Sequence, residues 1–211
     1  MNNTYQNIIT KTNFKAPQDW LQIKTIDMHT GGEPLRVIVD GFPVLKGNSV
    51  LEYRRYCKEN FDYLRTALMF EPRGHADMYG CILLPPNDEE GDFGILFLHN
   101  EGYSTMCGHA IIAITTLAVE MSWIQVKEGN NILKIDAPCG RITAFANVQN
   151  QKVTGVRFHC VPSFVVGLDI KVEVPGIGEV IYDLAYGGFM GFGKRYFLNY
   201  YYRNCRFGCD H

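Results

Sequence analysis

The chain has no run of apolar residues near the roughly 20 needed to cross a bilayer. It also has no block of one charge sign, no Cys-x-x-Cys pair, no low-complexity linker and no internal repeat. The polar, Asn-rich start at Met1 to Gln6 lacks the basic-then-apolar layout of a secretory signal, so the expectation is a soluble, cytoplasmic protein with no membrane partner. Lysine plus arginine number 20 against 22 for aspartate plus glutamate, which argues against nucleic acid as a partner and leaves a small, locally recognised molecule. The missing Cys-x-x-Cys disfavours a thiol redox module. Seven cysteines, odd in number and irregularly spaced, fit free thiols in a reducing compartment better than a disulfide framework.

What is present is enough for a sizeable core: 211 residues, 46% of them hydrophobic. Residues 1–19 are a polar extension without pattern. Leu21, Ile23 and Lys24 to Met28 then read as a strand entering the turn His29-Thr30-Gly31-Gly32, and Leu35 to Asp40 as a second strand. Ser49 followed by Glu52 is a capping-box signature, and the apolar spacing beyond it predicts a helix over about 49–69. Cys81 to Leu84 and Phe93 to Leu98 are apolar runs around a Pro85-Pro86-Asn87 turn, as in a hairpin of buried strands. From Met106 an apolar stretch covers nearly every face of the implied helix, which places that helix inside the protein. Strand-like pieces follow near 131–136, 141–147, 153–160, 163–167, 170–174 and 178–182. The sum is α+β, with a curved mixed sheet around a buried central helix. Phe189 to His211 differ in composition, with eight aromatics and four basic residues in 23.

The chemistry-bearing stretch is Leu98-His99-Asn100-Glu101-Gly102-Tyr103-Ser104-Thr105-Met106-Cys107-Gly108-His109-Ala110. It puts a thiol at the first turn of the buried helix, where unpaired N–H groups and the helix dipole favour thiolate over thiol. Gly108 allows close approach to the backbone, and the same N–H groups suit a carboxylate. Against this stand the commoner fates of such residues: a small buried hydrophobe for Cys107 and a hydrogen-bonded structural group for His109. Pro138-Cys139-Gly140 looks like a second thiol motif, but Arg141-Ile142-Thr143 follow where small residues are needed, so Cys139 reads as structural. Cys205, Cys209 and His211 offer three donors and no fourth, so no metal site is expected. Arg73, Gly74, His75 and Asp77 read as a structural polar cluster, and His29 with its glycines as a tight turn.

Met106-Cys107-Gly108-His109 preceded by His99-Asn100-Glu101-Gly102-Tyr103-Ser104 resembles the first catalytic motif of the proline racemase family. Met28 to Arg36, Leu68 to Gly80, Pro138-Cys139-Gly140, Val156 to His159 and Asp183 to Gly188 resemble family segments in the same order. The resemblance spans residues 20–188 and implies the amino-terminal half of a diaminopimelate epimerase-like fold, followed by a divergent tail at 189–211 with the second domain absent. It implies an enzyme that needs no cofactor, with Cys107 as the base that removes an α-proton and Gly108 and His109 bordering the substrate, and it leaves a homodimer open. The wording of Asn100 to Ser104, and Ala110 where racemases more often have glycine, implies the branch that dehydrates trans-3-hydroxy-L-proline to 1-pyrroline-2-carboxylate. Proline racemase, 4-hydroxyproline 2-epimerase and a catalytically incomplete truncated product are the alternatives.

Overall fold

A computed structural model describes residues 3–10, 15–187 and 190–193. Within them ten strands outnumber three helices. Seven strands form one sheet in chain order: β1 (Lys24–Thr30), β2 (Glu33–Asp40), β3 (Tyr79–Leu84), β4 (Phe93–His99), β5 (Gly129–Ala137), β6 (Gly140–Gln149) and β7 (Lys152–His159). The β2–β3 and β4–β5 pairs are parallel and the other pairs antiparallel. A parallel pair needs a long crossover, and the two helices supply them: α2 (Val50–Met69) links β2 to β3, and α3 (Gly108–Glu120) links β4 to β5.

These crossovers pack on opposite faces of the sheet. On β4, Ile95 and Phe97 belong to the core shared with α3, whereas Leu96 and Leu98 belong to the core under α2. A strand covered on both faces has no solvent side, which is why Phe93 to Leu98 reads as an unbroken apolar run. Both edge strands, β1 and β7, also touch α3, so the sheet curls around that helix. Eight of the helix's residues, from Ala110 to Val119, are buried, as the all-round apolar pattern predicts.

Local signals explain the elements. Ser49 is the N-cap of α2, where its Oγ accepts the Glu52 N–H at 3.3 Å. The Glu52 carboxylate accepts from Asn48 N–H at 2.7 Å, one residue before the position of a reciprocal capping box. β8 (Phe164–Val174), β9 (Gly178–Tyr186) and β10 (Met190–Gly193) form a separate three-stranded antiparallel sheet.

Three differences from the sequence reading follow. Asn3–Thr10 is a short helix, α1, within the segment read as unpatterned. The pieces at 163–167 and 170–174 are one strand, β8, interrupted by register shifts at Gly167 and by Asp169 with φ 53°. Met190–Gly193 pairs with β9, so the first residues of the divergent tail continue a sheet. The rest of that tail, with Cys205, Cys209 and His211, lies outside the described residues. No helix among the described residues is long and apolar enough to cross a membrane.

Candidate functional site

α3 begins at Gly108, and Cys107 is its N-cap, in extended conformation at φ −148°, ψ 103°. The thiol therefore sits one residue outside the first turn, not within it. The β1–β2 turn converges on it. In the β1–β2 turn, Gly31 and Gly32 have φ of 60° and 102°, and the Gly32 N–H donates to His29 Nδ1 at 3.3 Å. Left-handed backbone of this kind suits glycine. The turn is tied to α3 because Thr30 Oγ1 donates to the His109 carbonyl at 2.9 Å.

The His109 ring lies beside the Cys107 sulfur, with Nδ1 at 3.4 Å and Nε2 at 3.6 Å. It also donates to the Pro34 carbonyl and meets the Tyr79 ring edge-on, with centroids 4.7 Å apart. Burial holds the imidazole below its ordinary pKa, with Glu33 and the Pro34 bond acting in the opposite direction. Tyr79 is raised, first by burial and then by the negative charge that Cys107 and Glu33 can carry.

Cys107 does not have the depressed pKa expected from its helix position. It is only 7% exposed, and burial pushes the thiol up to about 11, with Glu33 adding to the rise. The Ala110 N–H addresses the sulfur and favours the thiolate, but it does not close a full N-cap hydrogen bond. Desolvation therefore outweighs the helix terminus, and the resting thiol is protonated at neutral pH.

Gly108 faces the ring of Phe158 on β7, where a Cβ would come within 3.3 Å of Cζ. The loop before Cys107 is fixed from several sides. Arg65, paired with Asp62 at 2.7 Å, donates to the carbonyls of His99 and Asn100, and Arg54 donates to the Tyr103 carbonyl at 2.6 Å. Cys139 N–H donates to the Thr105 carbonyl at 3.1 Å.

The structure thus gathers Cys107, Gly108 and His109 at one helix start, with Thr30, Glu33, Pro34, Tyr79 and Phe158 around them. Sequence reasoning did not single out those five. All five stood inside quoted segments, but only folding shows which neighbours of a motif reach it. His29 stays in its own turn. Arg73 Nε donates to the Ala67 carbonyl at 2.8 Å, and the His75 carbonyl accepts from Asn100 Nδ2 at 3.0 Å. Among the described residues, no group of three or more His, Cys, Asp or Glu is placed to hold a metal ion. A groove lined by Asp40 to Leu45, Ile82 and Leu83 lies apart from this cluster.

A thiol at the start of an interior helix, inside a sheet that curls around that helix, is an arrangement suited to moving a proton beside a bound anion. The proline racemase family model matches residues 25–193. The chain belongs to the proline racemase family.

It is 54% identical to a trans-3-hydroxy-L-proline dehydratase of Colwellia psychrerythraea over 81% of this chain and 48% of that one. It is 48% identical to a 3-hydroxyproline 2-epimerase of Burkholderia multivorans over 79% of this chain and 50% of that one. A crystal structure of a hydroxyproline epimerase from Agrobacterium vitis with bound trans-4-hydroxy-L-proline superposes with a TM-score of 0.69 at 28% identity, covering 80% of this chain and 50% of that one. The chain spans about half the length of the curated relatives it matches.

Proposed function

We propose that this protein is a hydro-lyase that dehydrates trans-3-hydroxy-L-proline to 1-pyrroline-2-carboxylate, with Cys107 as the base that removes the α-proton. The observation that carries the proposal is the position of the sulfur at the N-cap of α3, beside unpaired helix N–H groups and the His109 ring. The similarity to dehydratases supports the choice of reaction. The domain reading belongs to the same proposal: residues 20–188 form the amino-terminal domain, and 189–211 are a divergent tail. So does the cytoplasmic location, with which the five free cysteines among the described residues accord.

An α-hydrogen beside a carboxylate is a poor acid, so the negative charge that develops as it leaves must be met by groups already in place. At the start of α3 the backbone N–H groups of Gly108 and His109 have no partner within the helix, and they donate to the substrate carboxylate. Gly108 presents no side chain there. The Cys107 thiol must first lose its proton, which burial resists. A bound substrate ammonium next to the sulfur lowers that cost by charge pairing. The thiolate then takes the α-proton, the C2–H electron pair forms the C2=C3 bond, and the C3–O bond breaks with protonation of the oxygen to water. The enamine product tautomerises to the cyclic imine.

The test is incubation with trans-3-hydroxy-L-proline followed by borohydride, which traps a cyclic imine as proline. Appearance of proline supports the dehydratase reading. The similarity to a 3-hydroxyproline 2-epimerase favours a second reading, in which the proton is returned to the opposite face. Formation of the C2 epimer with no trapped proline would select that reaction instead.

A further inference from the structure

Cys107 stands at the end of a loop that leaves β4, and the start of that loop is held from the other side of the sheet. Arg65 lies on α2, which packs on the face opposite α3. It is 7% exposed, and arginine is buried to that degree only when paired. Its guanidinium works in three directions. Nε and Nη2 donate to the two oxygens of the Asp62 carboxylate at 2.7 and 2.9 Å. Nη1 donates to the carbonyls of His99 and Asn100, the first at 2.9 Å. The group also lies over the Tyr103 ring, 5.8 Å from its centroid.

These contacts grip one tight turn. His99 and Gly102 exchange backbone hydrogen bonds at 3.0 and 3.2 Å, and Gly102 has φ 146°. Tyr103 follows at once and is itself buried, with its hydroxyl 3.6 Å from Cys57 Sγ. Only Ser104, Thr105 and Met106 lie between this anchor and Cys107. The geometry calls for arginine: a planar fork can pair a carboxylate through two nitrogens and still present the third to two carbonyls, which the point charge of a lysine cannot do. Asp62 sets the plane of the fork and balances its buried charge.

We propose that Arg65 is a positioning residue for Cys107: with its plane set by Asp62, it fixes the His99–Gly102 turn and the Tyr103 ring, and so sets where the sulfur stands at the start of α3. This role rests on Cys107 as the base. Without the clamp the loop loosens, and the sulfur loses both its alignment and its burial. The two losses have opposite signs. Turnover falls, since a misplacement of about 1 Å can cost roughly 10²-fold in rate, whereas access of a small alkylating agent to the sulfur rises.

The experiment uses the full 211-residue chain as wild type, Arg65→Lys, Asp62→Asn and Val148→Ala. Val148 is 1% exposed in a separate core cluster with Val119 and Ala146, so its truncation costs stability without touching the loop. Iodoacetamide labelling rates at Cys107 and Cys81 are followed by mass spectrometry, and kcat and KM are measured with trans-3-hydroxy-L-proline. In Arg65→Lys, Cys107 should label at least roughly tenfold faster than in wild type through easier local opening, while Cys81, fully buried elsewhere in the core, does not change. Its kcat should fall roughly 10²-fold with KM near the wild-type value. Asp62→Asn keeps the guanidinium but removes the charge that orients it, so it should move both readouts the same way by less, and it carries the test if Arg65→Lys does not fold. The proposal is overturned if Cys107 labels at the wild-type rate in the folded variants, or if Val148→Ala speeds its labelling equally. If wild type does not turn over the substrate, the reading of the reaction fails while the labelling rates still decide the role of Arg65.

Discussion

The Cys107 sulfur lies 3.4 Å from Nδ1 of His109, two residues further along the chain. That contact is possible because the N-cap residue and the second residue of the helix share one side of its open end. It puts the thiol beside an imidazole that burial keeps below its ordinary pKa, so the neighbour of the sulfur is neutral and does not lower the thiol's pKa by charge.

A pH dependence follows directly. With the thiol pushed up to about 11, alkylation of Cys107 by iodoacetamide should accelerate roughly tenfold per pH unit from neutrality until about that value. Cys160, lowered from its ordinary value, should level off earlier. Site-resolved labelling rates measure both. The sign for stability is equally definite: the folded state holds the Cys107 proton more tightly than the unfolded chain, whose thiol titrates near its ordinary value. This group's contribution is thus complete below the unfolded pKa and declines as pH rises towards about 11.

The bond from Thr30 Oγ1 to the His109 carbonyl joins the β1–β2 turn to the helix start. Thr30→Val should cost about 1 kcal/mol in urea unfolding. If the bond also positions His109, turnover should fall by more than that loss of stability explains, and Thr30→Ser, which keeps the hydroxyl, should restore it.

Gly108 faces Phe158 with no room for a larger group, since even a Cβ would sit 3.3 Å from the ring. Gly108→Val should weaken binding of pyrrole-2-carboxylate, a planar mimic of the intermediate, by at least roughly tenfold, or about 1.4 kcal/mol. Calorimetric titration checks this, and an unchanged far-ultraviolet spectrum separates the effect from unfolding.

Phe97 is fully buried where β4 meets α3. Phe97→Ala should destabilise the fold by about 3–5 kcal/mol, since the cavity cannot collapse between a helix and a sheet that already encloses it. The urea midpoint reports the size of the loss.

Much of the fold was legible because local and global signals agree. Ser49 with Glu52 marked the start of α2, and the apolar run from Ala110 to Val119 marked α3 as interior because the sheet covers it from both edges. The break in β8 was not legible as a bulge, since the left-handed Asp169 and the shift at Gly167 interrupt the alternation that identifies one strand. At the site, residue identities were readable but protonation was not. The helix start at Cys107 argued for a thiolate, while the burial that reverses this depends on how distant segments pack.

The claim that Cys107 takes the α-proton is tested most directly by solvent exchange. Trans-3-hydroxy-L-proline is incubated in D2O with wild-type protein and with Cys107→Ser, and the C2 proton and the imine product are followed by NMR. The account predicts consumption of substrate, or exchange at C2, with wild type, and a loss of roughly 10²–10⁴-fold in the variant while its circular dichroism and unfolding midpoint stay close to wild type. A folded Cys107→Ser protein that still removes the C2 proton at the wild-type rate would contradict it.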